Sequence, residues 1–197
     1  MVDKYIIIDN FLSKKELINL SDNLIGEVWR EPSSPFKWKC QDGIVGTNKK
    51  TEYELDNYMF SHVFFSDEPF EISDYIHLVL PILSELDISR LYRIKSNFYP
   101  RTEKIIKHDW HIDRSDKHLS AIFYVNSNNG KTIIENEVEV ESIENRLLIF
   151  DGALRHASTS ASDNFRMNIN FNFNSYLDLK NVFKSSITSI KNNVSYI

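Results

Sequence analysis

The sequence contains a single cysteine, Cys40, in 197 residues. One thiol excludes an internal disulfide and any thiolate metal cage. It also fits a reducing compartment, so a cytoplasmic location is expected. Long apolar runs are missing too: none approaches the roughly 20 residues that a membrane-spanning helix needs. The opening M-V-D-K-Y-I-I-I-D-N has too short an apolar run and too early an acid for a secretory signal. Nor is there a basic excess. Lys and Arg number 23 against 28 Asp and Glu, a net charge of −5, where a nucleic-acid surface would show a basic stripe. Internal repeats and Pro/Gly/Ser linkers are lacking as well. With 42% hydrophobic and 26% charged residues, one domain over 1–197 with a sizeable core is expected.

Two patterns divide the chain. In residues 1–90 Tyr5–Ile8 reads as a short strand. Ser13 with Glu16 forms a capping box ahead of Leu17, Leu20 and Leu24, which predicts a helix over Lys14–Ile25 ending near Gly26. Glu31–Gly46, with two Pro and two Gly, reads as loop with room for one strand. Lys49–Glu71 is aromatic without a clean period, either irregular core packing or a lid. Ser73–Leu86 has a helical apolar face that Pro81 should kink or break. From Leu91 the period shifts to two. Leu91–Tyr99, Lys104–Asp113, Leu119–Asn126, Thr132–Ile134, Val138–Val140, Arg146–Phe150, Arg155–Ser158 and Phe165–Phe173 are the expected strands. Many short strands punctuated by Asn-Gly and Asp-Gly turns suggest a sandwich or barrel-like double sheet over 91–175. Residues 176–197 form a tail without a readable pattern.

The chemistry concentrates between Ile105 and Phe173. His111 and Asp113 stand two apart, so on a strand they share a face while Ile112 points away. An imidazole and a carboxylate can then meet one cation, and a third ligand from a distant strand completes the set. His156 follows 43 residues after Asp113. Two histidines and one carboxylate, with positions left open, are the ligand set of non-haem Fe(II) oxygenases.

Several further pieces appear in order: Tyr99-Pro100, His111-Ile112-Asp113, Phe123-Tyr124-Val125-Asn126, N-N-G-K-T, L-L-I-F-D-G-A-L-R-H and R-M-N-I-N-F. In this series residues 91–173 resemble the double-stranded β-helix core of the 2-oxoglutarate/Fe(II)-dependent dioxygenases, nearest the prolyl-4-hydroxylase-like branch. The resemblance implies a mainly β fold, jelly-roll or cupin-like, supported by N-terminal helices. It implies His111, Asp113 and His156 as metal ligands and catalytic residues, and Fe(II), 2-oxoglutarate and O2 as cofactors, with ascorbate available as a reductant. Among the six histidines His62, His77, His108 and His118 are set aside; His108 falls on the strand face opposite His111.

Phe165–Phe173 alternates an apolar face with Arg166, Asn168, Asn170 and Asn172. By resemblance Arg166 holds the distal carboxylate of 2-oxoglutarate, which suits a guanidinium fork. Tyr124 is implied to donate to the same carboxylate. Tyr99 and Asn97, on one strand face, are implied as further cosubstrate contacts. Thr132 matches a position near that end of the barrel without an implied contact.

The activity implied is hydroxylation of a substrate C–H bond with release of succinate and CO2. Nearness to prolyl hydroxylases puts a prolyl or other protein residue first. A free amino acid or small metabolite is the second option. Nucleic-acid dealkylation is disfavoured by the acidic total, and a retired β-helix scaffold by the intact set of site residues.

Overall fold

The computed structural model describes residues 5–26, 36–42, 58–135, 138–177 and 194–196. Its strands are β1 (Tyr5–Ile8), β2 (Lys39–Asp42), β3 (Tyr58–Asp67), β4 (Phe70–Ile72), β5 (Arg90–Tyr99), β6 (Leu119–Tyr124), β7 (Lys131–Ile134), β8 (Val138–Glu141), β9 (Arg146–Asp151), β10 (His156–Ser158), β11 (Arg166–Asn174) and β12 (Val194–Tyr196). Helix α1 spans Lys14–Ile25 and α2 spans Leu80–Glu85. Among the described residues, one large sheet runs β12-β1-β9-β6-β11-β5-β3-β2, with β4 on β3, and a three-stranded sheet runs β10-β7-β8. Every strand pairing among the described residues is antiparallel. Two facing antiparallel sheets with helices on the outside are the double-stranded β-helix expected from the sequence.

The alternation of β11 explains the layering. Met167, Ile169, Phe171 and Phe173 are fully buried on one face, in one cluster with Leu20 and Leu24 of α1, Leu78 and Ile82. Each such side chain is worth ~1.5–3 kcal/mol of hydrophobic stabilisation. A second cluster of Tyr5, Ile122, Tyr124, Ile134, Val140, Leu148 and Phe150 fills the space between the sheets. The opposite face of β11 is therefore an interior polar surface and not a wet edge.

Helix α1 starts at the expected box. The Ser13 side chain accepts from Glu16 N–H, Glu16 accepts from Ser13 N–H, and Gly26 follows at φ 81°. Three expectations are corrected. Ser73–Leu86 is not one helix: Ile76–Leu78 is a 3-10 turn, and α2 begins at Leu80 with Pro81 in its first turn, where a missing N–H costs nothing. Residues 58–72 of the aromatic stretch are the regular hairpin β3–β4, packed on the core through Phe64, in place of irregular structure; residues 49–57 lie outside the described residues. Lys104–Asp113 is not a strand, since only Lys107 and His111 form isolated bridges, to Thr159 and His156. Of the 31–46 segment, Lys39–Asp42 is a strand and 31–35 and 43–46 are outside the described residues. In the tail, 178–193 are outside them, and β12 pairs with β1.

Candidate active site

The isolated bridge at His111 brings the metal-type residues together. His111 N–H donates to His156 O and His156 N–H donates to His111 O, both at 2.9 Å. Residues directly opposed in an antiparallel pair project to the same side, and the two imidazole centroids lie 4.3 Å apart. His111 Nδ1 lies 3.2 Å from Asp109 O and His156 Nδ1 3.4 Å from Leu154 O. A carbonyl can only accept, so each ring carries its proton on Nδ1 and presents the Nε2 lone pair. The two Nε2 atoms lie 3.9 and 3.8 Å from the carboxylate oxygens of Asp113. All three ligand atoms fall within 4.8 Å of one another. Two ligands at ~2.1 Å from one ion can be at most about 4.2 Å apart, so both imidazole–carboxylate gaps suit a shared cation. His156 Nε2 is buried with no hydrogen-bond partner, which is costly unless an acid proton or a metal meets it.

Asp113 is held by strands of the large sheet. Arg93 Nη2 donates to Oδ1 at 2.9 Å, and Asn172 Nδ2 to Oδ2 at 2.9 Å. Arg93 Nε also donates to Asn172 Oδ1 at 3.1 Å, which fixes that amide's orientation. Ser120 Oγ stands 3.5 Å from Oδ2. Burial by itself would raise the Asp113 pKa, but the charges of Arg93, His156 and His111 and the Asn172 hydrogen bond bring it down to about 2. Burial pushes His156 down to about 4, against the pull of Asp113. Carboxylate and neutral imidazole are thus the prevailing forms at neutral pH, the forms that bind metal.

Farther along β11 is Arg166, 0% exposed. Nε donates to Ser142 Oγ and Nη2 to Thr132 Oγ1, each at 3.0 Å. Nη1 is buried without a partner, and no acidic side chain among the described residues pairs with the guanidinium. Tyr124 O–H donates to Thr132 Oγ1 at 2.8 Å. Because Thr132 Oγ1 accepts two hydrogen bonds, its own proton is left to donate elsewhere. The Arg166 Cζ lies 5.3 Å from the Tyr99 ring centroid and 5.9 Å from that of Tyr124. Gly130 makes room for this arginine: a Cβ there would come within 2.8 Å of Arg166 Cδ.

Of the expected cosubstrate residues, Arg166, Tyr124 and Tyr99 are brought together. Asn97, one rung from the Tyr99–Arg166 pair, donates its Nδ2 to Asn168 Oδ1 at 3.1 Å. Thr132 joins Tyr124 to Arg166 in a way its matching position did not imply. His108, set aside from the sequence, is buried beside the cluster. Its ring stacks on Tyr99 at 5.5 Å, Nδ1 lies 2.7 Å from Ser158 Oγ, and Nε2 has no partner. Burial, then the charges of Arg166 and His111, push its pKa down to about 3. The other histidines are used elsewhere. His62 bridges Lys37 O and Ser73 Oγ, His77 is exposed, and His118 packs on Gly152. Arg93 and Asn172 were also missed, although they extend the period-two face that holds Tyr99 and Arg166.

No family model matches the sequence, and no curated protein matches it. Solved structures do. An oxidoreductase of the 2OG-Fe(II) oxygenase family from Burkholderia pseudomallei superposes with a TM-score of 0.64 at 9% identity, over 87% of this chain and 85% of that one. The fold is that of the 2-oxoglutarate/Fe(II) oxygenases. A prolyl hydroxylase from Trichoplax adhaerens, in complex with a hypoxia inducible factor oxygen degradation domain peptide, gives a TM-score of 0.58 at 16% identity, covering 88% and 84%. A viral collagen prolyl hydroxylase from Paramecium Bursaria Chlorella virus-1, in its 2OG complex, gives 0.52 at 12%, covering 89% and 98%.

Proposed function

We propose that this chain is a non-haem Fe(II), 2-oxoglutarate-dependent dioxygenase that hydroxylates a C–H bond, on a prolyl or other protein residue. The observation that carries this reading is Arg166. A fully buried guanidinium with an unused Nη1 and, among the described residues, no acidic partner is a strongly unfavourable arrangement until an anion arrives. It lies in a fold that also assembles the His111, Asp113, His156 group. A dicarboxylate that also chelates a metal answers both needs.

His111, Asp113 and His156 would hold the iron, whose bound form couples O2 reduction to decarboxylation of 2-oxoglutarate and oxidation of the substrate. The chain's own part is positioning. Arg166 Nη1 and the free Thr132 proton receive the distal carboxylate, and a guanidinium fork fixes its plane. Tyr124 holds Thr132 in the rotamer that leaves that proton available. Arg93 and Asn172 keep the Asp113 carboxylate from rotating, the outer-shell role that sets ligand orientation. Buried Ile122, Ile134 and Leu148 limit water between the sheets, which strengthens every polar contact there.

A protein substrate is supported by the peptide-bound Trichoplax adhaerens structure, which shares this fold. The test is succinate release from 2-oxoglutarate by the Fe(II)-loaded chain under air, with peptides screened for a +16 Da product. Succinate that forms equally without iron, or with Asp113→Ala, would remove the reading.

A further inference from the structure

The floor of the site has four rungs, because β5 and β11 are directly paired with their polar residues on one side. Three rungs are already committed. Arg93 and Asn172 hold Asp113, Asn97 and Asn168 bond to each other, and Tyr99 lies against Arg166. The remaining rung is Lys95 opposite Asn170. Lys95 Nζ has one hydrogen bond, to the neutral Gln41 Oε1 at 3.2 Å, and no ion pair among the described residues. The Asn170 side-chain amide has no hydrogen-bond partner among the described residues, and its Oδ1 is fully buried. Their neighbours on the same rung, Val63 and Ile122, are apolar and offer nothing. A half-buried ammonium whose acidic neighbour, Asp113, is already clamped by Arg93 and Asn172, beside an unpartnered amide, costs free energy that a ligand can recover. In a chain of net charge −5, this uncommitted cation faces the same interior as the metal-type residues.

We propose that Lys95 and Asn170 form a subsite for a carboxylate carried by the substrate, Lys95 pairing with the carboxylate and Asn170 accepting an N–H or O–H beside it. The proposal rests on the oxygenase reading and narrows its substrate. The carboxylate could be supplied by an acidic side chain next to the oxidised residue of a peptide, or by a free amino acid. Burial, and then Arg93, hold the ammonium's pKa down to about 8 against the pull of Asp113, so it is still mostly charged at neutral pH.

The experiment uses the full chain with Fe(II) and 2-oxoglutarate and two probe sets. One is a mixture of synthetic proline-centred peptides made with either Glu or Gln at the flanking positions. The other is the free amino acids alongside their carboxamides. Substrate-stimulated succinate and the +16 Da product are read for each. The acid form should exceed its amide in one set by about tenfold or more in kcat/KM, about 1.4 kcal/mol, and the responding set identifies the source. Lys95→Met should abolish that preference and Lys95→Arg should keep it. The anaerobic affinity of Lys95→Met for 2-oxoglutarate should stay within about threefold of the parent, well under the tenfold that 1.4 kcal/mol represents. Equal responses to acid and amide in both sets, silence included, overturn the subsite. So does a preference that survives Lys95→Met. A tenfold loss of 2-oxoglutarate affinity in Lys95→Met would instead assign Lys95 to the cosubstrate and end the proposal. Failure of the parent to bind 2-oxoglutarate defeats the oxygenase reading itself, and the subsite with it.

Discussion

Replacing Arg166 by methionine separates a residue that waits for an anion from one that merely ties the barrel together. Methionine fills much of the same volume but removes the guanidinium. Loss of one partner of a desolvated, hydrogen-bonded charge pair costs ~2–5 kcal/mol. At ~1.4 kcal/mol per decade, 2-oxoglutarate should bind about 30- to 4,000-fold more weakly. The free protein should behave differently. It loses the bonds to Ser142 and Thr132, ~1.5–3 kcal/mol each for a charged donor, but is relieved of an unpaired buried cation worth several kcal/mol. Those opposed changes leave its stability within about 2 kcal/mol of the parent. With ligand at 100 times the parent's Kd, the parent gains ~2.7 kcal/mol on binding and the variant under ~1. For a chain of this size that is ~5–10 °C in Tm against less than ~4 °C. The assay is anaerobic titration of the Fe(II) protein with 2-oxoglutarate, followed by the metal-to-ligand absorption band, with thermal unfolding as an independent readout. A variant that binds like the parent, or one that collapses without ligand, would refute the reasoning.

Arg93→Met should weaken metal binding by about 10- to 100-fold through the freed Asp113 and Asn172 side chains, measured by competition with a chelator; an unchanged Kd would make the clamp incidental. Acid should destabilise the metal-free protein. His108 and His156 stay neutral in the fold down to pKa values of about 3 and about 4, while unfolded histidine titrates near 6.5. The unfolded state therefore binds more protons below about pH 6.5, and each histidine removes ~1.4 kcal/mol per pH unit from there down toward its folded value. Urea unfolding at several pH values between 7 and 4.5 should show this slope, and His108→Phe should be shallower by about 1.4 kcal/mol per pH unit; an identical slope would mean that His108 is not buried neutral.

The strands were legible because β5 and β11 alternate cleanly, and a strand with one apolar face has a single stable register. The triad was legible from residue type and order, although its local geometry was not. His111 and Asp113 are positioned by one backbone bridge and a bend in place of a strand, because the chain leaves the small sheet there to reach Asp113's partners on the large one. The aromatic segment was misread because β3 packs on both faces. Phe64 is buried against the core while Ser61 and Val63 face the interior with Asn97 and Lys95, which erases the alternation. Asn97 has a partner, Asn168, that the sequence did not reveal. A shared face shows which residues are neighbours but not which amide bonds to which. His108 was passed over because a regular strand would have turned it away, and the irregular backbone does not.

The most direct measurement is a single turnover of the Fe(II) protein. The chain should be mixed anaerobically with one equivalent each of Fe(II) and 2-oxoglutarate, then exposed to O2 and assayed for succinate. The expected result is the metal-to-ligand absorption band before O2, its decay on exposure, and close to one succinate per iron site. Asp113→Ala should show neither band nor succinate. A folded parent that forms no band and no succinate, or an Asp113→Ala variant that forms both, would contradict the assignment of His111, Asp113, His156 and Arg166 to one oxygenase site.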